Sequence, residues 1–435
     1  MSPRPGLRAP VKEILAFNRA LVGADRVVRP DGDGGPRAAD LTAQAVERKL
    51  DALGRSPFSF FRGTFHLMAR DLVERRVAGI GPLAPEGLVV GDLHLENFGT
   101  YRGAGGALCF DVNDFDEVGF APIDFDLLRL CASAWLLPGL PATLLRETAL
   151  AVADGWAASI ERLGGRFPVP PFTPAEASGL VGRLLDAAAQ KRPKDLAAKV
   201  APGKRHDRFD TGGAPAKYVR PERRWRELVE RALPDYLRSL EQLDAKLPGG
   251  EWELLDVAYR FKGAGSLGRL RFVALLGQGR DRRVIEFKEA RPSALDEARG
   301  VASGAARARV QTAAIRRLQG DPWPRVASTR LGPLSALGRE VEPGEAKISI
   351  GALSLDSAPG RRELLAYARQ CGEVLGRLHC RANAPLLLNA RFDPGEAARG
   401  AVAFGQSYAK VVRGDFALFC AARKASPGAL RPAGR

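Results

Sequence analysis

The chain is poor in the residues that build metal clusters, disulfide frameworks and stacking surfaces. It has four histidines, His66, His94, His206 and His379. A metallophosphoesterase, whose G-D-x-H motif has a counterpart here, usually surrounds a metal pair with several histidines, so the shortage counts against that chemistry. Five cysteines, Cys109, Cys131, Cys371, Cys380 and Cys420, are scattered without C-x-x-C spacing, a pattern that suits reduced thiols better than a disulfide framework. Aromatic residues make up 7% of the chain. No aromatic platform is interleaved with the basic residues and no nucleic-acid motif is present, so a nucleic-acid partner is not expected. No run of about 18 apolar residues occurs, and no membrane-spanning helix is expected. The N-terminal stretch MSPRPGLRAPVKEILAF lacks the apolar centre of a signal peptide, which points to a cytoplasmic protein.

What the chain has in excess is positive charge. The formal net charge is +16 and the isoelectric point about 10.0. Such a field attracts anions such as nucleotides and phosphorylated metabolites, although the arginine, alanine and glycine bias also fits a GC-rich genome. With 435 residues and 45% hydrophobic content, the chain can bury a large core divided over two or three lobes.

The pattern along the chain predicts an exposed extension over residues 1–40, with a Gly- and Pro-rich loop at 24–40. Helices are predicted at 41–54 and 58–78, the second capped by Ser56 with Pro57 in its first turn. GLVVGDLHLENFGT and ALCFDVNDFDE each read as a short buried strand running into a polar loop. Further helices are predicted at 125–137, 143–163 and 174–190, completing a helical lobe over 41–190. Residues 191–249 form a basic connection and a helix, with 191–224 read as a solvated linker or a basic flap over an anionic substrate. LLDVAYRFKG, RLRFVALLGQ and RRVIEFKEA read as successive antiparallel strands of a β-rich lobe over 250–345, with GQGRD as a turn. Helices at 294–318, 361–382 and 404–423 follow, those within 346–423 rejoining the helical lobe, and 424–435 is a disordered tail.

Two motifs carry chemistry. In GDLHLENFG, Asp92 and Asn97 are five residues apart, the spacing of a carboxylate that accepts a hydroxyl proton and an amide that holds magnesium in a kinase catalytic loop. His94 lies between them. A second carboxylate must hold the metal that bridges nucleotide phosphates, and Asp114 in DVNDFDE is the first choice, with Asp111 and Asp116 as rivals. Asp126 opens an apolar helix and is placed to hold the loop by buried hydrogen bonds. The second motif is Gly263, Gly265 and Gly268, with Ser266 between them, in G-x-G-x-x-G. A strand pattern follows it instead of a helix, which is the arrangement of a kinase phosphate-covering loop. Lys288, at the end of a strand, is the candidate phosphate-binding lysine, with Glu297 as its expected partner and Glu289 as the alternative. Arg62 is a third candidate for the catalytic set with Asp92 and His94. It either holds a phosphate or carboxylate or locks its helix against the loop by an ion pair.

The first motif resembles the aminoglycoside phosphotransferase and choline kinase branch of the kinase-like superfamily, through Gly91, Asp92, His94, Asn97, Asp114–Asp116, Asp126, Leu127 and Arg129. Val90 stands where that branch usually has histidine. SPFSFFRG, GDLHLENFG, DVNDFDE, FDLLRLCAS, GAGSLGRLR, KEARPS and LGRLHCRA together resemble a bacterial family catalogued as domain of unknown function 2252, from about residue 45 onward. The resemblance implies an α+β, kinase-like, two-lobed fold with a small antiparallel β-lobe and a larger helical lobe. Because the catalytic half precedes the glycine-rich half, the fold is expected to be circularly permuted. The expected function is ATP- and magnesium-dependent phosphoryl transfer to a small-molecule hydroxyl. A protein-modifying kinase-like enzyme and a non-catalytic nucleotide-binding regulator are the alternatives.

Overall fold

The helices that open the chain are set by local chemistry. The computed structural model describes residues 10–22, 38–74, 84–164, 166–213, 216–262, 268–301, 304–388 and 392–425. Helices α1 (Pro10–Val22), α2 (Ala38–Leu53), α3 (Pro57–Gly63) and α4 (Phe65–Val73) come first. Ser56 caps α3, its hydroxyl accepting from the Ser59 amide at 3.1 Å, and Pro57 occupies the first turn, where a missing N–H costs nothing. The single helix expected at 58–78 is two. At Thr64 the backbone leaves the helical region (φ −125°), and its hydroxyl donates to the Phe60 carbonyl at 2.7 Å.

Strands β1 (Glu86–Val89), β2 (Phe98–Arg102), β3 (Leu108–Val112) and β4 (Gly119–Pro122) are followed by α5 (Phe125–Trp135), α6 (Ala142–Leu163), α7 (Gly179–Ala189) and α8 (Pro193–Val200). Then come β5 (Tyr218–Val219), α9 (Arg223–Gln242), β6 (Glu253–Arg260), β7 (Arg271–Gln278), β8 (Asp281–Glu289), α10 (Ala294–Ala298) and α11 (Arg307–Leu318). The chain finishes with β9 (Val326–Leu331), β10 (Leu334–Glu340), β11 (Ala346–Lys347), α12 (Ala358–Leu387) and α13 (Pro394–Ala425). Among the described residues no helix is long and apolar enough to cross a membrane.

This is a mixed α+β structure with antiparallel sheets. The largest has strand order β5-β6-β7-β8-β10-β9. Side chains alternate across its faces, as period-two strands require. One face carries Tyr259, Phe272, Ile285 and Phe287 and packs under α9 through Trp225, Val229 and Tyr236. The opposite face is divided. Val273, Val284 and Val341 pack with Val200 of α8 and with Tyr218, whereas Arg260, Arg271, Glu286, Lys288 and Arg339 are buried charges. The register brings these charges together, with Arg271 and Leu337 on either side of Lys288 and Arg339 opposite Glu286.

The remaining strands belong to the helical part and its single core. α6 and α12 approach closely because glycine faces backbone at the crossing. A Cβ at Gly372 would lie 2.0 Å from the Val152 carbonyl oxygen, and one at Gly155 2.1 Å from that of Arg369.

Three further expectations are corrected. The connection over 191–224 contains α8 and β5. The helix expected at 294–318 is broken, because α10 ends before Gly300 at φ +68° and α11 begins only at Arg307. The final helix spans Pro394–Ala425, ten residues longer at its start than the expected 404, and runs past the expected 423 into the stretch read as a tail. Residues 426–435 and most of the 24–40 loop lie outside the described residues.

Candidate functional site

Nested strand pairing brings the two polar loops together. The GDLHLEN loop joins β1 to β2, and the DVNDFDE loop joins β3 to β4. β1 pairs with β4 and β2 with β3, both antiparallel. The Asn113 amide then donates to the Asn97 carbonyl at 2.9 Å.

The first loop turns at Gly91, whose φ is +87°. A Cβ there would sit 2.4 Å from the Glu117 carbonyl oxygen, so only glycine fits. Asp126, fully buried at the start of α5, accepts the Val90 amide at 2.7 Å and the Gly91 amide at 2.8 Å. His379 of α12 stands 3.4 Å from the same carboxylate. Asp126 thus holds the loop from beneath.

Asp92 pairs with Arg129, whose Nε lies 3.0 Å from Oδ1. Arg129 is itself buried over the rings of Phe61 and Phe65, at 3.9 and 4.7 Å, and donates to the Phe61 carbonyl. This explains why the FFRG helix and the DLLR helix belong to one site. Burial pushes the Asp92 carboxyl up to about 6, against the pull of Arg129. The Asn97 side chain donates through Nδ2 to the Asp92 backbone carbonyl at 2.5 Å.

Arg62 of α3 ties its helix to the loop through His94 and Glu96. Arg62 forms an ion pair with Glu96, the loop-locking role considered for it, and its Nε lies 3.2 Å from His94 Nε2. Burial first, then the Arg62 and Arg129 charges, keep the His94 imidazole neutral. Glu96 also accepts the Ile350 amide at 3.2 Å, tying the loop to the segment after β11.

A cavity of about 270 Å³ lies between the DVNDFDE loop and the charged face of the large sheet; Asp114, Asp116, Arg271, Lys288, Arg339 and Lys347 are in its wall. Lys288 forms an ion pair with Asp116, and its Nζ lies 3.9 Å from Asp114 Oδ1. These two carboxylates take the place of the expected partner Glu297, which lies exposed on α10. The alternative, Glu289, instead accepts the Leu270 amide at 3.0 Å. Burial opposes ionisation of Asp116, but Lys288, Arg269 and Arg271 hold its carboxyl down at about 2. Asp111, the other rival for a metal, points away into the core, 3.5 Å from Arg381.

Asp114, Asp116 and Lys288 therefore come from two distant parts of the chain to one cavity, whose described wall does not include Asp92 or Asn97; these two lie on the adjoining loop, tied to it by the Asn113–Asn97 hydrogen bond. Gly263, Gly265 and Ser266 lie outside the described residues, and Gly268 enters β7 with φ +98°.

Several residues of the site were not singled out in the sequence. Arg269 forms an ion pair with Glu117, which also accepts the Ala294 amide at 2.7 Å, so this pair joins the sheet to the loop and to α10. Glu286 sits between Arg260 and Arg271, 2.8 Å from each. The available clue was Glu286 and Lys288 at alternate positions of the otherwise apolar run VIEFK. Arg377 and Arg381, in LGRLHCRA, are buried and donate to carbonyls of residues 169–171.

The donor chemistry fits magnesium better than a soft metal. Among the described residues no group of three or more histidine, cysteine, aspartate or glutamate side chains is arranged to hold a metal ion. Magnesium habitually takes one or two carboxylates and completes its shell with water and phosphate oxygens. Asp116 is ionised, and Asp114 is 43% exposed at the cavity.

Fold and site together define a mixed α+β protein with a lysine–dicarboxylate centre on the charged face of an antiparallel sheet. The chain belongs to the bacterial family described as "Uncharacterized protein conserved in bacteria (DUF2252)", which it matches over residues 41–422. Neither the curated proteins nor the solved structures give a match.

Proposed function

We propose that the protein is an ATP- and magnesium-dependent phosphotransferase acting on a small-molecule hydroxyl, built on a kinase-like two-lobed fold with its two halves in permuted order. The observation that carries this reading is the meeting of Lys288 with Asp116 and Asp114 beside one cavity. The order of strands supports it. β6 and β7, which flank the glycine-rich segment, are antiparallel neighbours, and β8, which carries Lys288, lies beside β7, as in the kinase glycine-loop lobe.

In this reading Lys288 binds nucleotide phosphates, for which it leaves Asp116. Asn97, Asp114 and Asp116 are the residues that would hold magnesium, and the ion would neutralise charge developing on the phosphates. Asp92 orients the acceptor hydroxyl and takes its proton. Its raised pKa of about 6 places it near the operating range of a general base. Arg129, Asp126 and Asn97 fix the position of Asp92, so the rate enhancement comes from positioning and charge stabilisation.

The test is to incubate the protein with ATP labelled at the γ-phosphate, magnesium and a fractionated small-molecule extract. The expected result is label in a small-molecule fraction, dependent on Asp92. Label carried only on protein would contradict the small-molecule acceptor, and no transfer to either would contradict phosphotransfer.

A further inference from the structure

A second cavity, of about 230 Å³, adjoins the first. Lys262 and Glu345, 3.9 Å apart, belong to the walls of both. The second cavity has a basic wall. Lys191 precedes α8, Lys199 lies on α8, Lys217 enters β5, and Arg260 and Lys262 come from β6 and its end.

The charges around this cavity are not balanced. Five cations face three carboxylates: Asp195 caps α8 by accepting the Arg192 amide at 2.8 Å, Glu345 is shared between Arg339 and the cavity's own Lys262, and Glu342 lies 3.8 Å from Arg325. Arg260 is held by Glu286. Lys191, Lys199 and Lys217 form no ion pair with any described residue. Partial desolvation at the cavity wall, then the neighbouring Arg260 and Lys199 charges, lowers the pKa of Lys217. α8 is fixed here by the apolar contacts of Val200 with the sheet, and it carries Lys199 to the cavity.

We propose that the second cavity is a subsite for the phosphate group of a small molecule. Lysines bind phosphate as mobile point charges and need no fixed fork geometry, and the cavity is large enough for a phosphate with a short carbon skeleton. The group belongs either to a separate phosphorylated molecule or to the far end of a ligand that also fills the first cavity across the Lys262–Glu345 wall. The proposal goes beyond the nucleotide reading of the first cavity and does not depend on it.

The test is calorimetric titration of inorganic pyrophosphate into the ligand-free full-length protein at low salt, comparing wild type, Lys199→Ala/Lys217→Ala and Lys288→Ala. Lys199 and Lys217 are exposed, so the double variant is expected to melt with wild type, which a thermal scan checks. The expected result is binding by wild type that weakens about tenfold or more in the double variant, the loss of one or more charged hydrogen bonds. No binding by wild type, or a loss confined to Lys288→Ala, overturns the proposal. Failure of the protein to bind ATP would leave this titration unaffected. Repeating it with the first cavity saturated by ATP and magnesium separates the two sources. In the part of the binding that Lys199→Ala/Lys217→Ala removes, undiminished pyrophosphate binding indicates a separate molecule, and competition indicates one ligand spanning both cavities.

Discussion

Lys288 and Asp116 are 172 positions apart in the chain and form an ion pair in the folded protein, with Asp114 Oδ1 3.9 Å from the same ammonium group. This contact links a strand of the large sheet to a loop of the helical part, and the functional account rests on it.

Asp114→Ala tests the metal side of the site. Asp114 is 43% exposed, and replacing an exposed side chain alters stability by about 0.5 kcal/mol or less. The expected variant keeps its melting temperature and loses magnesium-dependent ATP turnover. Normal turnover would remove Asp114 from the metal site.

Asp92 sets a pH dependence. Its carboxyl is raised from 3.8 to about 6, so a reaction that needs the carboxylate falls away below pH about 6. Asp92→Asn is expected to lower the rate by about a hundred- to ten-thousand-fold. A rate profile of wild type that stays flat from pH 5 to 7, with pH about 6 inside that range, would exclude this role.

Asp116 and Asp92 act on stability with opposite signs. Asp116 is lowered from 3.8 to about 2, so its contribution is complete above the unfolded value and is lost as pH falls toward 2. For Asp92 the folded state holds the proton more tightly than the unfolded chain, so stability declines as pH rises from 3.8 to about 6. Thermal scans of wild type and Asp116→Asn across this range should differ most above pH 4 and converge as pH falls toward 2.

Much of the site could be read in the sequence, because its parts are local. Asp92 and Asn97 share one loop, Asp114 and Asp116 another, and dense acidic residues between apolar strands are costly without a charge partner or ligand. Strands β6, β7 and β8 and helix α6 lie within a few residues of their expected bounds, because their apolar periodicity is strong. The partner of Lys288 was not readable. Glu297 is near it in sequence, but strand β8 directs Lys288 toward a loop that is close only after folding. The same holds for Arg269 with Glu117. α8 escaped notice because it is short and only Ala197 and Val200 are buried. The break at Thr64 depends on a threonine hydroxyl returning to the Phe60 carbonyl, which leaves no trace in hydrophobic patterning.

Glu286→Ala should leave Arg260 and Arg271 buried without their shared carboxylate. Both arginines are less than a tenth exposed. Removing one partner of a buried ion pair costs about 3–5 kcal/mol, so chemical denaturation should show a loss of that order. A loss below about 1 kcal/mol, the value of a surface pair, would contradict this and mean that water replaces the lost carboxylate around the arginines.

The central claim is tested most directly by thermal unfolding of the purified protein with ATP, with and without magnesium, beside Lys288→Ala and Asp114→Ala. Ligand at about 100 times its Kd stabilises the folded state by about 2.7 kcal/mol, a clearly measurable shift. The account predicts a magnesium-dependent shift in wild type that is absent in both variants. No shift with ATP under any condition, or an equal shift in all three proteins, would contradict it.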